Sequence, residues 1–240
     1  MASQDHPDGR ARPAVHANQR LVRERASRQM NTEQENMREM QQIVDFILEI
    51  DQLKAVTRKV RPAGLDRYEN SAEHSWQIAL FAAALVPHAD GPLDLDRVIR
   101  MLLVHDLGEI DTGDTIVFAR DGWQERKSAE RVAAERIFGM LPKSSGEAFL
   151  GLWDDFEVAE TVEARFAHAV DRAMPVLLNL NNDGGSWKEH GISYARVVER
   201  VGPEIEAGCP GLWRYLEARL VEAREQKWFG EDIPVEKERS

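Results

Sequence analysis

Two imidazoles and two carboxylates stand in this chain at spacings that could enclose one divalent cation. His105 and Asp106 are adjacent, His74 lies 31 positions before His105, and Asp171 lies 65 positions after Asp106. Nitrogen and oxygen donors without a thiolate suit a borderline or hard divalent ion. Neighbouring residues on a regular helix point about 100° apart, so a His-Asp doublet faces one ion most readily where its helix is ending. The largely apolar run Val98–Val104 leads into the doublet and Leu107-Gly108 follows it; glycine commonly ends a helix in the left-handed conformation. An acid-rich stretch, Glu109 to Asp114, comes next. Taken singly, these residues also have ordinary readings. A lone helical histidine such as His74 is more often a hydrogen-bonded core or surface residue. Asp171 sits beside an apolar stripe (Val162, Phe166, Val170, Met174, Leu177 and Leu178), where a carboxylate needs a partner to offset its desolvation. Spacing alone allows Arg165, Arg172 or a metal equally.

Three stretches carry a wider likeness: Arg67 to Trp76, His105 to Asp114, and Ala169 to Arg172. They resemble the HD superfamily of metal-dependent phosphohydrolases, in particular its compact, stand-alone branch similar to bacterial 5'-deoxynucleotidases. The likeness extends from around Gln41 to Glu225. It implies that His74, His105, Asp106 and Asp171 hold one divalent metal ion (manganese, cobalt, magnesium, zinc or iron). One or two coordination positions would stay open for water and a phosphate oxygen, as in catalytic rather than structural sites. The implied reaction is removal of phosphate from a small nucleotide, foremost a nucleoside 5'-monophosphate, by a metal-activated water attacking phosphorus.

Glu109, one helical turn beyond His105, is the candidate general acid/base. Asp114 is a second catalytic carboxylate, placed to orient water or a sugar; the ordinary alternative is a solvated acidic loop. A phosphate dianion also needs cations nearby, and Arg58, Lys59, Arg61 and Arg67 all precede His74. Arg58 matches the phosphate-contacting arginine of the deoxynucleotidases, and arginine suits bidentate contact with phosphate oxygens. Lys59 stands where those enzymes carry tryptophan, a departure that bears on deoxyribose selection. Without the resemblance, such basic clusters are usually solvated. Glu69 reads as a structural partner of one of these arginines. Trp187 and Lys188 could close over a nucleobase and its phosphate, although a loop of this kind is more often surface with one aromatic anchor. His168, one turn before Asp171, is a solvated residue or a partner to the metal ligands.

Other functions fit parts of the pattern. Guanosine tetraphosphate hydrolases, similar in core, carry Glu-Asp after their doublet, where this chain has Glu109-Ile110; that weakens a pyrophosphohydrolase or triphosphohydrolase reading. HD-type diiron oxygenases need extra histidines between the doublet and the last aspartate, and only His168 lies there. A non-catalytic binding module would not need the intact ligand set together with Glu109.

The elements that must position these residues read as helices throughout. Thr32-x-x-Glu35 has the form of a capping box, and Met37, Met40, Ile43, Val44, Ile47 and Leu48 follow at helical spacing. Ser71 is the expected N-cap of a helix bearing His74 and halted by Pro87. Asp94 or Asp96 opens the helix that reaches the doublet. Further helices are predicted over about 122–140, 144–153, 158–180, 193–202 and 210–226, punctuated by Pro142, Gly184-Gly185, Pro203 and Pro210. No alternating apolar and polar run is flanked by turn signals, so no sheet is expected. The expected fold is an all-α, single-domain HD-type bundle over 32–228. A disordered or loosely helical arm (1–31) precedes it and a flexible tail (229–240) follows.

Composition sets the outer limits. The net charge of −11 argues against a grip on polymeric nucleic acid, which normally leaves a basic face. The charge is uneven: residues 1–31 hold six arginines against Asp5, Asp8 and Glu24. Cys209 is the only cysteine, so no intrachain disulfide can form and a reducing compartment is the natural home. With no apolar run near the length of a membrane span and no signal-peptide core, a cytoplasmic setting is expected. Leu212, Trp213, Leu216 and Leu220 would cover either the core or a twofold partner; the resemblance suggests a homodimer.

Overall fold

A computed structural model of the chain describes residues 12–114 and 123–231. The expectations for the outer arm (1–11), the loop after Asp114 (115–122) and the end of the tail (232–240) lie outside them. Among the described residues the helices are α1 (Arg12–Ile50), α2 (Ser71–Leu85), α3 (Leu95–Val104), α4 (Glu109–Thr112), α5 (Trp123–Phe138), α6 (Lys143–Val158), α7 (Val162–Asn181), α8 (Gly185–Glu189), α9 (Tyr194–Gly208) and α10 (Pro210–Glu225). Two short 3₁₀ segments, Asp51–Ala55 and Val86–His88, join them. The only β feature among these residues is an isolated antiparallel bridge between Thr57 and Asn70. The fold is all-α and single-domain.

α7 is the central element, packed on α2, α3, α6, α9 and α10. Its stripe Phe166, Val170 and Met174 is buried as the periodicity requires, and Asp171 is buried with it. Pro175 lies inside the helix, four residues after Asp171, so it offers no N–H to the Asp171 carbonyl. Thr161 caps the helix, its side chain accepting from the Ala164 amide, and Ala159 before it is left-handed. Those two residues, rather than position 158, set where α7 begins. Leu212, Trp213, Leu216 and Leu220 of α10 are buried in the chain's own core.

Several boundaries differ from the sequence reading, each for a local reason. α1 does not begin at Thr32: the helix runs from Arg12, and the Thr32 hydroxyl donates to the Arg28 carbonyl inside it. Its apolar stripe is exposed instead of buried. The N-cap of α2 is Asn70, not Ser71. The Asn70 side chain accepts from the Glu73 amide and the Glu73 carboxylate accepts from the Asn70 amide, a reciprocal capping box. Gly108 does not adopt the left-handed conformation; its φ is −61°, and a Cβ there would stand 2.9 Å from the Glu130 carbonyl oxygen, so close helix approach demands glycine. The left-handed glycine is Gly113, at φ 75°. α9 continues through Pro203, which therefore does not end it. Phe229, assigned to the tail, stacks on Trp187, and the Gly230 amide donates to the Ile192 carbonyl, so the chain docks past 228.

A charged clamp ties α7 to α9. Glu204 accepts from Arg172 Nε at 2.7 Å and from Arg200 Nη1 at 2.8 Å, with His168 Nδ1 3.6 Å away. Burial pushes the Glu204 carboxyl up, but His168, Arg172 and Arg200 outweigh it and hold the pKa at about 2. A carboxylate depressed in the folded state stabilises above its unfolded pKa, near 4.3, and that contribution is lost as pH falls toward 2. Glu204→Gln is expected to cost about 2 kcal/mol at pH 7 after allowance for partial exposure. In urea titrations the gap from wild type should narrow as pH drops below 5. A gap that is constant with pH would contradict the ionic origin.

Candidate metal centre and active-site cleft

A short non-helical segment and the N-terminus of α2 build one wall of the site. The Arg58 amide donates to the Glu69 carbonyl, the Glu69 amide to Val60, and the Ser71 amide to Val56, each within 3.0 Å. This ladder sets Arg58 and Glu69 beside the first turn of α2, which carries His74. The turn between α3 and α4 presents His105 and Asp106, and Trp153 Nε1 donates to the His105 carbonyl at 3.1 Å. α7 brings Asp171 from the opposite side. Glu109 lies on α4 and Asp114 just after it.

His74, His105 and Asp171 are buried, and one potential ligand atom from each lies within 4.8 Å of the others. His74 Nε2 is 3.0 Å and His105 Nε2 3.7 Å from Asp171 Oδ1. Asp106 falls outside this group of three. Its Oδ1 is 2.9 Å from His105 Nε2, while its Oδ2 accepts from Arg58 Nη1 at 2.8 Å.

His105 is anchored through Nδ1 and His74 through Nε2, which meets Asp171 Oδ1. His105 Nδ1 donates to the Leu102 carbonyl at 2.8 Å, and His74 Nδ1 is 3.2 Å from the buried Glu69 carboxylate, without hydrogen-bond alignment. The Nδ1 bond of His105 leaves its Nε2 facing the carboxylates, the arrangement common for metal-binding histidines. His105 Nε2 is buried without a hydrogen-bond partner. The residues fit a divalent cation: two imidazole nitrogens and a carboxylate converge where lone pairs would otherwise oppose one another.

The electrostatics point the same way. Burial pushes the His105 imidazole down, yet Asp106 and Asp171 outweigh it and raise its pKa to about 10. Asp106 is pushed up by burial but held at about 2 by His105 and Arg58. Against the same burial, Asp171 is kept well below the usual carboxylate range by Arg172, at 3.1 Å, and by the two imidazoles. Without a metal these carboxylates hold a proton on His105; a divalent ion would take over the charge that the proton supplies.

Glu109 behaves oppositely. Burial and the nearby Asp106 raise its pKa well above the ordinary value, although Ser71 Oγ donates to it at 2.7 Å. Asp114 is also raised, by burial and then by Asp106, against the opposing charge of Arg58, 3.9 Å away. Burial disfavours the Arg58 charge, but Asp106, Asp114 and Glu109 more than compensate and keep it protonated.

These groups face a cleft of about 1150 Å³, its open mouth included. Arg58, Lys59, Asp106, Glu109, Asp114 and Asp171 are among its polar lining, and Val176, Trp187, Ile192 and Val201 among its apolar lining. Lys127 of α5 also lines it, bonded to Glu157 at 2.6 Å and 3.3 Å from Glu130. Among the basic and aromatic candidates, Arg58, Lys59 and Trp187 line the cleft and Arg61, Arg67 and Lys188 do not. Arg67 is drawn away by a two-point pair with Glu73 at 2.5 and 2.8 Å, and Arg61 by Glu189 at 2.6 Å and by the Tyr68 ring. Lys188 is exposed. Trp187 is a fixed wall and not a free lid, because its ring is stacked on Phe229 with centroids 4.5 Å apart. His168 is half-buried and turned away from Asp171: its Nε2 donates to the Phe156 carbonyl at 2.7 Å and its Nδ1 is 3.6 Å from Glu204.

The sequence reading missed three contributors. Ser71 was assigned to the cap and instead holds Glu109. Glu69 reaches His74 as well as an arginine, Arg58 Nε at 3.5 Å. Arg172, considered only as a competitor of the metal for Asp171, also lines the cleft. The first of these had a signal: Asn70, an equally good cap, precedes Ser71.

Comparison with known proteins places this geometry. A solved structure described as a predicted metal-dependent phosphohydrolase, from Magnetospirillum magnetotacticum, is 40% identical, with TM-score 0.75 over 80% of this chain and 99% of that one. The human 5'-deoxynucleotidase HDDC2 is 27% identical over 136 residues, 56% of this chain and 65% of that protein. The 5'-deoxynucleotidase YfbR of Salmonella paratyphi B is 30% identical over 135 residues, 51% and 68% of the two chains. The chain thus spans just under two thirds of the human relative's length. Residues 50–213, which hold every side chain of the centre, match the HD domain, and the chain belongs to that family.

Proposed function

We propose that this chain is a metal-dependent phosphomonoesterase that removes phosphate from a nucleoside 5'-monophosphate. The observation that carries the reading is the meeting, in one cleft, of a metal-capable His74–His105–Asp171 group, the Glu109 carboxyl, hydrogen-bonded to Ser71 and raised in pKa by its burial, and the largely buried Arg58. In this reading Asp106 joins those three around one divalent ion of the manganese, cobalt, magnesium, zinc or iron type. When bound, that ion would supply a water of lowered pKa and neutralise phosphoryl charge. Arg58 offers its guanidinium to the phosphate and stays charged throughout. Glu109 gives the leaving alkoxide its proton, a role suited to a carboxyl with a raised pKa. Asp114 orients water or the sugar, and Lys59 stands beside Arg58 at the rim. Glu69 is a positioning residue that holds His74 and Arg58 in register. The apolar lining, which includes Val176, Ile192 and Trp187, suits the nucleoside.

A cytoplasmic setting belongs to the same reading and agrees with the single, buried Cys209. Among the described residues no helix is long and apolar enough to cross a membrane.

Metal-free protein incubated with nucleoside mono-, di- and triphosphates and Mn²⁺, Co²⁺ or Mg²⁺ tests the proposal. Inorganic phosphate is expected from monophosphates, only with added metal. Release confined to di- or triphosphates, or release that is unaffected by chelation, would overturn it.

A further inference from the structure

Each carboxylate of the centre is divided between two partners. Asp171 Oδ1 faces the imidazoles, 3.0 Å from His74 Nε2 and 3.7 Å from His105 Nε2, while Asp171 Oδ2 accepts from Arg172 Nη1 at 3.1 Å. Asp106 repeats the pattern: its Oδ1 lies 2.9 Å from His105 Nε2 and its Oδ2 accepts from Arg58 Nη1 at 2.8 Å. In both, one oxygen is left toward the imidazoles and a guanidinium occupies the other.

The Arg172 contact is not a by-product of the helix. Adjacent residues on α7 point about 100° apart and do not face each other. The neighbouring helix holds the guanidinium in place. Glu204 of α9 accepts from Arg172 Nε at 2.7 Å, and its other oxygen accepts from Arg200 Nη1 at 2.8 Å. With Nε fixed on α9, Nη1 of the same planar fork meets Asp171.

Nor does this contact serve metal affinity. A cation beside a ligand carboxylate repels a divalent ion and makes the carboxylate a weaker donor. Left alone, Asp171 could bring both oxygens to one ion, since carboxylates ligate in mono- or bidentate fashion. The second oxygen would consume a coordination position, and an open position is what separates a catalytic metal site from a structural one.

We propose that Arg172 is a positioning residue that confines Asp171 to ligation through one oxygen and so keeps a place on the metal free for water or a phosphate oxygen. The inference rests on the metal-dependent reading given above and adds to it the residue that sets how many positions stay open. Arg58 caps Asp106 in the same way, but its contact with phosphate in that reading makes it the poorer test. Arg172 has no other part in the reaction.

Water-proton relaxation by Mn²⁺ bound to the full chain tests this without substrate. A six-coordinate ion held by His74, His105, Asp106 and Asp171 through one atom each keeps about two waters. Arg172→Met should bind Mn²⁺ at least as tightly as wild type, while the relaxation enhancement per bound ion falls about twofold, as one of those waters is displaced. Arg172→Gln, which still offers a donor to Glu204, gives the same reading should the methionine variant fail to fold. Glu204→Gln controls for loosened packing: its amide oxygen still accepts from Arg172 Nε, so relaxation should stay at the wild-type level. Unchanged relaxation in the Arg172 variants, weakened Mn²⁺ binding in them, or an equal fall in Glu204→Gln would overturn the inference. The expected fall in a protein that releases no phosphate would overturn the proposed function and uphold the inference; a wild type that binds no Mn²⁺ would overturn both.

Discussion

Asp171→Asn is expected to abolish metal binding and lower phosphate release about a thousandfold or more. The substitution preserves shape in a buried position on α7, and Arg172 keeps its 2.7 Å bond to Glu204, so the helix has no reason to unfold. What disappears is the anionic oxygen 3.0 Å from His74 Nε2 and 3.7 Å from His105 Nε2. An amide oxygen is a far poorer ligand for a divalent ion. Metal-ion catalysis contributes several kcal/mol of transition-state stabilisation, and each ~1.4 kcal/mol is a decade in rate. Elemental analysis after dialysis should find the wild type loaded near one equivalent and the variant near zero. A variant that retains one equivalent would remove Asp171 from the proposed ligand set.

Glu109→Gln is expected to separate chemistry from metal binding. Glutamine still accepts from Ser71 Oγ, and it sits apart from the His74–His105–Asp171 group, so metal content should equal that of wild type. Loss of a positioned proton donor typically costs about 10²–10⁴ in rate, and the loss should fall on kcat more than on KM. The pH profile gives a second readout. Burial and Asp106 raise the Glu109 pKa well above its ordinary value, so the acid form persists to higher pH than in a free glutamate. As pH rises through that raised pKa the donor is lost and kcat should fall; in the variant this descending limb should be absent. Unchanged kcat in Glu109→Gln would remove the residue from the mechanism.

The parts of the molecule that could be read from its sequence are those governed by short-range periodicity. The stripe around Phe166, Val170 and Met174 announced a buried α7, and it carried Asp171 inward with it. The doublet at the end of α3 could be recognised because the apolar run stops there. Choices between near-equal neighbours could not be read. Asn70 and Ser71 are both good caps, and only the docking of α4 shows that Ser71 is wanted by Glu109. Gly108 announced a chain reversal but serves instead to let α5 approach, a contact across more than twenty residues. The basic residues were least legible. Arg58, Arg61 and Arg67 differ little in spacing, and only the resemblance singles out Arg58; which one enters the cleft depends on where Glu73 and Glu189 lie. The α1 stripe had the right period for burial, but period alone does not say whether the chain itself supplies the covering surface.

The proline in α7 has a mechanical consequence for the residue one turn before it. With no amide hydrogen at 175, the peptide oxygen of Asp171 lacks its rung of the helical ladder, and the ring crowds that oxygen outward. The turn bearing the carboxylate is therefore held by one helical hydrogen bond fewer than a regular turn. A yielding mount of that kind can take up the few tenths of an ångström that separate the bond lengths of small and large divalent ions.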